Sequence, residues 1–280
     1  MERVGIVGAG QMGAGIAEVC ARAGCEVVLA DVDEAAIARG RANIDKSLGK
    51  AVERQKLTAD DAVATLDRLT ATTDLAQLGG SEIVIEAIVE SESVKRGLFA
   101  ELDGILAEGA IIASNTSSIP IVRLATATDR PESVVGMHFF NPAPVMPLVE
   151  VVSSLLTSPD VAATVTAFAV ELGKHPVQAK DRAGFIVNAL LLPMLVDAVR
   201  MFEAGVASAD DIDAALVMGA NHPMGPLALA DLIGIDTVVA VSEVLHAEFA
   251  EPRYAPSPLL RRMVDAGHLG RKTGQGFYKY

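Results

Sequence analysis

Cysteine is scarce: Cys20 and Cys25 are the only two in 280 residues. Two thiols so close together cannot staple a fold, and their spacing fits no common zinc motif. Five scattered histidines add nothing like a metal cluster. We therefore expect two reduced thiols in a cytoplasmic protein, and no metal. Long apolar runs are missing as well. No stretch of about eighteen residues is uncharged and apolar, which argues against a membrane-spanning helix. The opening MERVGIVGAG lacks the apolar core of a signal peptide. Positive charge is in deficit, with 23 Lys and Arg against 36 Asp and Glu and a net charge of −13. Nucleic-acid binders usually show the opposite balance, as do proteins held to anionic membranes, so neither partner is expected. Internal repeats and low-complexity stretches are absent too. What is abundant is apolar surface: hydrophobic residues make up 51% and charged residues 21%, which excludes a disordered chain. The length suits one large or two ordinary domains.

The first half alternates short apolar runs with helical patterns. Runs at 3–7, 25–30, 81–88, 110–113, 134–139 and 148–152 read as strands. Helical spacing appears at 12–23, 34–57, 93–107 and 161–172. Such alternation predicts βαβ units around a mostly parallel sheet. A short polar-flanked run at 174–181 reads as the end of this region. Beyond it nearly every segment is helical: 185–204 closing at Gly205, 208–220 opening on Ser208, 227–249 with a glycine interruption, and 259–266 before a glycine-rich tail. The expected fold is thus α/β, a Rossmann-type domain over 1–184 followed by an all-helical domain over 185–280.

Gly8-Ala9-Gly10-Gln11-Met12-Gly13 follows the first apolar strand and opens a helix. In this G-x-G-x-x-G pattern one glycine permits the turn, one lets a pyrophosphate approach, and one lets helix and strand pack closely. The helix then offers its unpaired N–H groups to the anion. Asp31 ends the second strand, at the distance where a carboxylate accepts ribose hydroxyls. A carboxylate there repels a 2′-phosphate, and Val32-Asp33-Glu34 supplies no base, so NAD is expected over NADP.

Hydride chemistry at an alcohol needs a proton acceptor, and histidine is the usual choice near neutral pH. His138 ends an apolar strand, where ligands bind in open α/β sheets. From that feature alone it is equally a core histidine satisfied by a carbonyl. Glu150 sits among Leu148, Val149, Val151 and Val152, so it is either on an exposed face or buried with a partner. A His138–Glu150 pair would orient the ring and stabilise its charged form. Glu86 invites the same argument, but its default reading is structural. The polar cluster at 114–118 could serve substrate or cofactor, or be a solvated loop. Asn188 reads as an interhelical hydrogen bond before a substrate ligand. Ser47, Lys50 and Arg54 share a helix face that could hold a phosphate-bearing ligand or simply meet water.

Taken together, these residues resemble the 3-hydroxyacyl-CoA dehydrogenase family. The matching segments are VGAGQMGAGIA (7–17), IEAIVE (85–90), SNTSS (114–118), GMHFFNPAP (136–144), LVEV (148–151), GKHPV (173–177), GFIVN (184–188) and KTGQGFYKY (272–280), in order along the whole chain. No hydratase domain is fused, so the resemblance is to the monofunctional, 3-hydroxybutyryl-CoA dehydrogenase type. It implies that His138 is the general acid/base and Glu150 its partner, with Ser117 and Asn188 touching the substrate near the reacting oxygen and thioester. It implies that Gly8, Ala9, Gly10, Gln11, Met12 and Gly13 hold the pyrophosphate of NAD and Asp31 the adenosine ribose. Glu90, Lys95, Asn115, Ser117, Asn141 and Lys272 match positions near the cofactor. Ser47 and Arg54 match positions that touch CoA, with Lys50 a neighbour. It further implies an acyl-CoA thioester substrate, an active site in a cleft between the domains, and a homodimer through the helical domain.

Two other readings fit the same outline. One is a dehydrogenase of a free hydroxy or sugar acid, similar to L-gulonate dehydrogenase. The other is a catalytically silent dinucleotide binder of the crystallin kind, against which intact His138 and Glu150 count.

Overall fold

A computed structural model describes residues 1–280, and its backbone contacts divide the chain into Met1–Arg182 and Ala183–Tyr280. In chain order the first unit contains β1 (Arg3–Val7), α1 (Gln11–Arg22), β2 (Glu26–Ala30), α2 (Glu34–Glu53), α3 (Ala59–Asp67), β3 (Leu69–Thr72) and β4 (Ile83–Glu86). It continues with α4 (Glu92–Ile105), β5 (Ile111–Ser114), α5 (Ile121–Ala125), β6 (Val134–Phe139), β7 (Leu148–Ser153), α6 (Pro159–Glu171) and β8 (His175–Lys180). One eight-stranded sheet runs β3-β2-β1-β4-β5-β6-β7-β8. Every neighbouring pair is parallel except β6–β7. Chain order reverses direction between β1 and β4, and the crevice at such a switch point is where open α/β sheets take ligands. The central strands are buried on both faces, as their unbroken Val and Ile runs require. Small residues on α1 (Gly13, Ala14, Ala17, Ala21) let that helix lie close against the sheet, in a core with Ile6, Ile85 and Met137.

The mostly parallel sheet is as expected, but three local readings need correction. The helix expected over 34–57 stops at Glu53: Arg54 is its C-cap and Gln55 turns left-handed at φ 56°. The residues after it form α3 and β3, neither of which was anticipated. The expected terminal run at 174–181 is β8, a full strand beside β7. As an edge strand it tolerates Pro176, whose missing N–H would break an interior ladder.

The second unit holds α7 (Val187–Glu203), α8 (Ala209–Ala220), α9 (Pro226–Ile233), α10 (Ile235–Phe249) and α11 (Pro258–Asp265). Leu195, Val196, Val199, Leu227, Ile235, Val238, Leu245 and Leu260 fill its core. The glycine interruption is Gly234, at φ 103°, where α9 ends and α10 begins. Buried Asp231 clasps the tail. Its carboxylate accepts the Phe277 and Tyr278 N–H groups at 2.9 and 3.0 Å and the Tyr280 hydroxyl at 3.1 Å.

Candidate active site

The glycine loop is built as a cradle. Gly8 sits at φ 104°, and a Cβ there would meet the Ala87 carbonyl at 2.6 Å. A Cβ on Gly13 would fall 1.7 Å from the Gly8 carbonyl, so only glycine lets α1 cross β1 this closely. Gly10 differs: a Cβ there meets nothing within 4 Å. The space in front of Gly10 is open, and it faces the uncapped, acid-free first turn of α1, whose N–H groups point at it. Ala9 and Met12 complete the turn, and the Gln11 side chain donates to Asn141 Oδ1 at 3.0 Å. Asp31 is held by backbone N–H groups, accepting from Ala9 N of the glycine loop at 2.6 Å and from the adjacent Val32 N at 2.7 Å. Asp31 and Glu101 both line a cavity of about 500 Å³ whose other walls include Val32, Ile88, Val94 and Leu98. No lysine or arginine lines it. Its charged lining is thus carboxylate alone, which disfavours an added phosphate group there.

The antiparallel β6–β7 register sets His138 directly opposite Glu150. His138 Nδ1 lies 2.7 Å from Glu150 Oε2, and both side chains are buried. A cross-strand pair on one face of a sheet needs no loop to hold it, so the carboxylate fixes the imidazole's orientation and tautomer. The Phe140 ring stands 4.5 Å from the imidazole, tilted by 51°.

Glu86, at the carboxyl end of β4, is fully buried, and its structural reading stands. It takes the Lys95 ammonium at 2.7 Å, the Ser114 hydroxyl at 2.6 Å and the Ile88 N–H at 2.8 Å. Lys95 also reaches Glu90 at 3.0 Å, so its charge is already compensated twice over. Glu90 in turn gathers the loop after β5, accepting from the Thr116 hydroxyl at 2.5 Å, Ser118 at 3.0 Å and Ser117 N at 3.2 Å. Partial withdrawal from water would raise the Glu90 carboxyl, but Lys95 and the two hydroxyls outweigh that and hold it below its ordinary pKa. The 114–118 cluster is therefore an ordered loop rather than a solvated one. Asn115 Oδ1 accepts the Phe139 N–H at 2.8 Å, tying this loop to the strand end beside His138. The Ser117 hydroxyl makes no hydrogen bond of its own.

Ser47 lines a second cavity, of about 330 Å³, with Gln11, Glu18, Asn43 and Asn141. Lys50 and Arg54 are exposed on and just past the end of α2. In the helical unit, Asn188 lies in the first turn of α7 and its side chain makes no hydrogen bond, which corrects the interhelical reading. Lys272 meets both carboxylate oxygens of Asp236 at 2.6 Å.

Comparison with known proteins follows the same division of the chain. The model for the 3-hydroxyacyl-CoA dehydrogenase NAD-binding domain matches residues 3–182, and that for the family's C-terminal domain matches 184–280. The chain belongs to the 3-hydroxyacyl-CoA dehydrogenase family. Its first unit is an NAD-binding domain, and the protein is an NAD-dependent oxidoreductase. A 3-hydroxybutyryl-CoA dehydrogenase of Mycobacterium tuberculosis is 54% identical over 282 residues, covering 100% of this chain and 99% of that one. The crystal structure of M. tuberculosis FadB2 superimposes with a TM-score of 0.98 over 100% of this chain and 99% of its own. That of (S)-3-hydroxybutyryl-CoA dehydrogenase PaaH1 from Ralstonia eutropha does so with 0.96, at 48% identity and with the same coverage. No helix of the structure is long and apolar enough to cross a membrane.

Sequence reasoning missed the Glu86–Lys95–Glu90 chain as a unit, although a carboxylate ending a uniformly apolar strand already demanded a cation. It also missed buried Glu18, which meets Arg22 at 3.4 Å. Glu18 is 1% exposed and lines a cavity with Asn43, Ile44 and Ser47 of α2, and an acid among the small residues of α1 was the available signal.

Proposed function

We propose that the protein interconverts (S)-3-hydroxybutyryl-CoA, or a similarly short 3-hydroxyacyl-CoA, and the 3-oxoacyl-CoA. The observation that carries this reading is the buried His138–Glu150 pair at 2.7 Å, at the carboxyl edge of a sheet that also bears the dinucleotide cradle. NAD, when bound, supplies the hydride acceptor. His138 removes the 3-hydroxyl proton through Nε2, since Nδ1 is committed to Glu150. Glu150 offsets the charge of the imidazolium that forms. Ser117 offers its hydroxyl to the 3-oxygen, and Asn188 serves the thioester end. Glu90, Lys95, Asn115 and Asn141 shape the loops that receive the nicotinamide end. Ser47, Lys50 and Arg54 grip the CoA moiety. We further propose that the enzyme works in the cytoplasm as a homodimer through its helical unit.

The test is steady-state kinetics with NADH, acetoacetyl-CoA and longer 3-oxoacyl-CoA esters, and with NAD and free hydroxy acids such as L-gulonate. Turnover highest with the shortest thioesters is expected. Turnover only of the free acids would replace this reading, and NADH binding without turnover of either class would make the chain a silent binder.

A further inference from the structure

The loop at 140–147 joins the strand of His138 to the strand of Glu150. It also leans on the dinucleotide cradle. Asn141 accepts the Gln11 amide at 3.0 Å, and a Cβ on Gly15 of α1 would fall 3.3 and 3.2 Å from the Ala143 and Pro144 side chains. Lys174 ties this loop at two points, donating to the Ala143 carbonyl at 2.6 Å and the Met146 carbonyl at 3.0 Å. We propose that Lys174 is a positioning residue for the cofactor, acting through this loop without touching NAD. The inference rests on the reading above, in which Asn141 and the glycine loop receive NAD.

The local sequence delivers that lysine. α6 ends in a glycine turn: Gly173 sits at φ 72°, and Lys174 N donates back to the Ala169 carbonyl at 2.9 Å. His175, the next residue, donates its N–H to the Pro147 carbonyl at 2.7 Å, so β8 starts at the loop's end. Inside the loop the Val145 and Met146 N–H groups both go to the Pro142 carbonyl, at 3.0 Å. No backbone N–H reaches the two carbonyls that Lys174 takes. Ala143 is 3% exposed, so without the ammonium its carbonyl is a buried acceptor with no protein partner. Two carbonyls and no carboxylate take the ammonium. Burial and the Arg22 charge lower its pKa, against a smaller pull from Glu18.

Freed of Lys174, the loop would shift at Ala143 and Pro144, which fill the space that Gly15 leaves, and Asn141 would lose its register with Gln11. Gln11 is in the first turn of α1, beside the open space in front of Gly10. The expected loss is therefore in NAD affinity. The His138–Glu150 pairing is set by the β6–β7 ladder and should survive.

The measurement is the NADH dissociation constant by fluorescence titration, taken well below the melting temperature. It needs no thioester, so it stands apart from the substrate reading. Lys174→Met should raise the constant about tenfold, the scale of one lost charge-assisted contact. Lys174→Arg, which can still donate to both carbonyls, should retain most of the affinity. Arg68 lines the same cavity of about 630 Å³ but bonds the Ala21 and Ala64 carbonyls, so Arg68→Met should leave NADH affinity unchanged. Gln11→Ala loosens the same loop, so combining it with Lys174→Met should raise the constant by less than the product of the single effects. An unchanged constant in a folded Lys174→Met overturns the assignment. So does an equal rise in Arg68→Met, which would make the effect one of cavity charge, and so do strictly multiplicative effects in the cycle. Should Lys174→Met not fold, Lys174→Gln, which keeps N–H donors without the charge, carries the same comparison. Unchanged affinity in Gln11→Ala would instead remove the cofactor reading beneath the inference.

Discussion

At the scale of single residues, His138 and Glu150 form one hydrogen-bonded pair, 2.7 Å apart. Each was ambiguous by itself, since a lone histidine at a strand end is as readily structural as catalytic. Their partnership follows from β6 and β7 running antiparallel, which sets residues twelve apart opposite each other. General acid–base catalysis is worth about 10²–10⁴-fold, so His138→Gln should lower kcat by that order and spare NADH affinity. Glu150→Gln keeps the shape but removes the charge, and should lower kcat nearly as far. Groups acting as a unit are non-additive, so the double variant should be little worse than His138→Gln. Multiplicative losses across the three, with melting curves confirming the fold, would mean that Glu150 acts on turnover independently of His138. Asp31 carries a separate expectation. With Glu101 and no cation lining the same cavity, NADH should be strongly preferred over NADPH. Asp31→Ala should weaken NADH use and narrow that preference, and equal kcat/KM for both cofactors in the unaltered enzyme would refute the assignment.

At the scale of elements, the three glycines of the fingerprint separate into two that the fold needs and one, Gly10, that it does not. Gly13→Ala would drive a methyl into the Gly8 carbonyl, so α1 must move off β1. Overpacking of that kind costs about 1–3 kcal/mol, and a lower melting temperature should accompany weaker NADH binding. Gly10→Ala meets open space, so its melting temperature should hold while its NADH dissociation constant rises. Titration and melting of both variants check this, and equal destabilisation of the two would refute it. The same scale explains what the sequence disclosed. The fingerprint, β6 and α7 were legible because their apolar periods are strong. α3 was not, because Ala59–Asp67 is short and half polar, with Thr65 its only buried residue. β3 has four residues and one buried position. β8 hides for a related reason: an edge strand has one neighbour, so half its side chains face water and its pattern blurs into a linker. Cross-element links such as Lys95 with Glu86 and Glu90 are set by the sheet's order, which no local pattern encodes.

At the scale of the whole molecule, the helical unit has its own core yet leaves large apolar side chains in water. Leu190 on α7 is 72% exposed, and Met218 on α8 is 80% exposed. Met201 on α7 and Leu232 on α9 are about half exposed, at 47% and 49%. Scattered apolar side chains are ordinary on any surface, but several on three helices of one small unit suit an interface. A stable dimer buries roughly 800 Å² per partner, an area that helices of this length can supply. The unaltered chain of 29.1 kDa should therefore sediment at about twice that mass. Its melting temperature should rise with concentration, because association stabilises the folded state by mass action. Placing a carboxylate in the apolar contact, as Leu190→Glu with Met218→Glu, should shift the sedimenting species to the monomer and remove the concentration dependence. Substituting Leu155, exposed in the first unit, should do neither. A monomeric mass for the unaltered chain across the micromolar range would sink the dimer. A double variant that stays dimeric would place the contact on another face of the molecule.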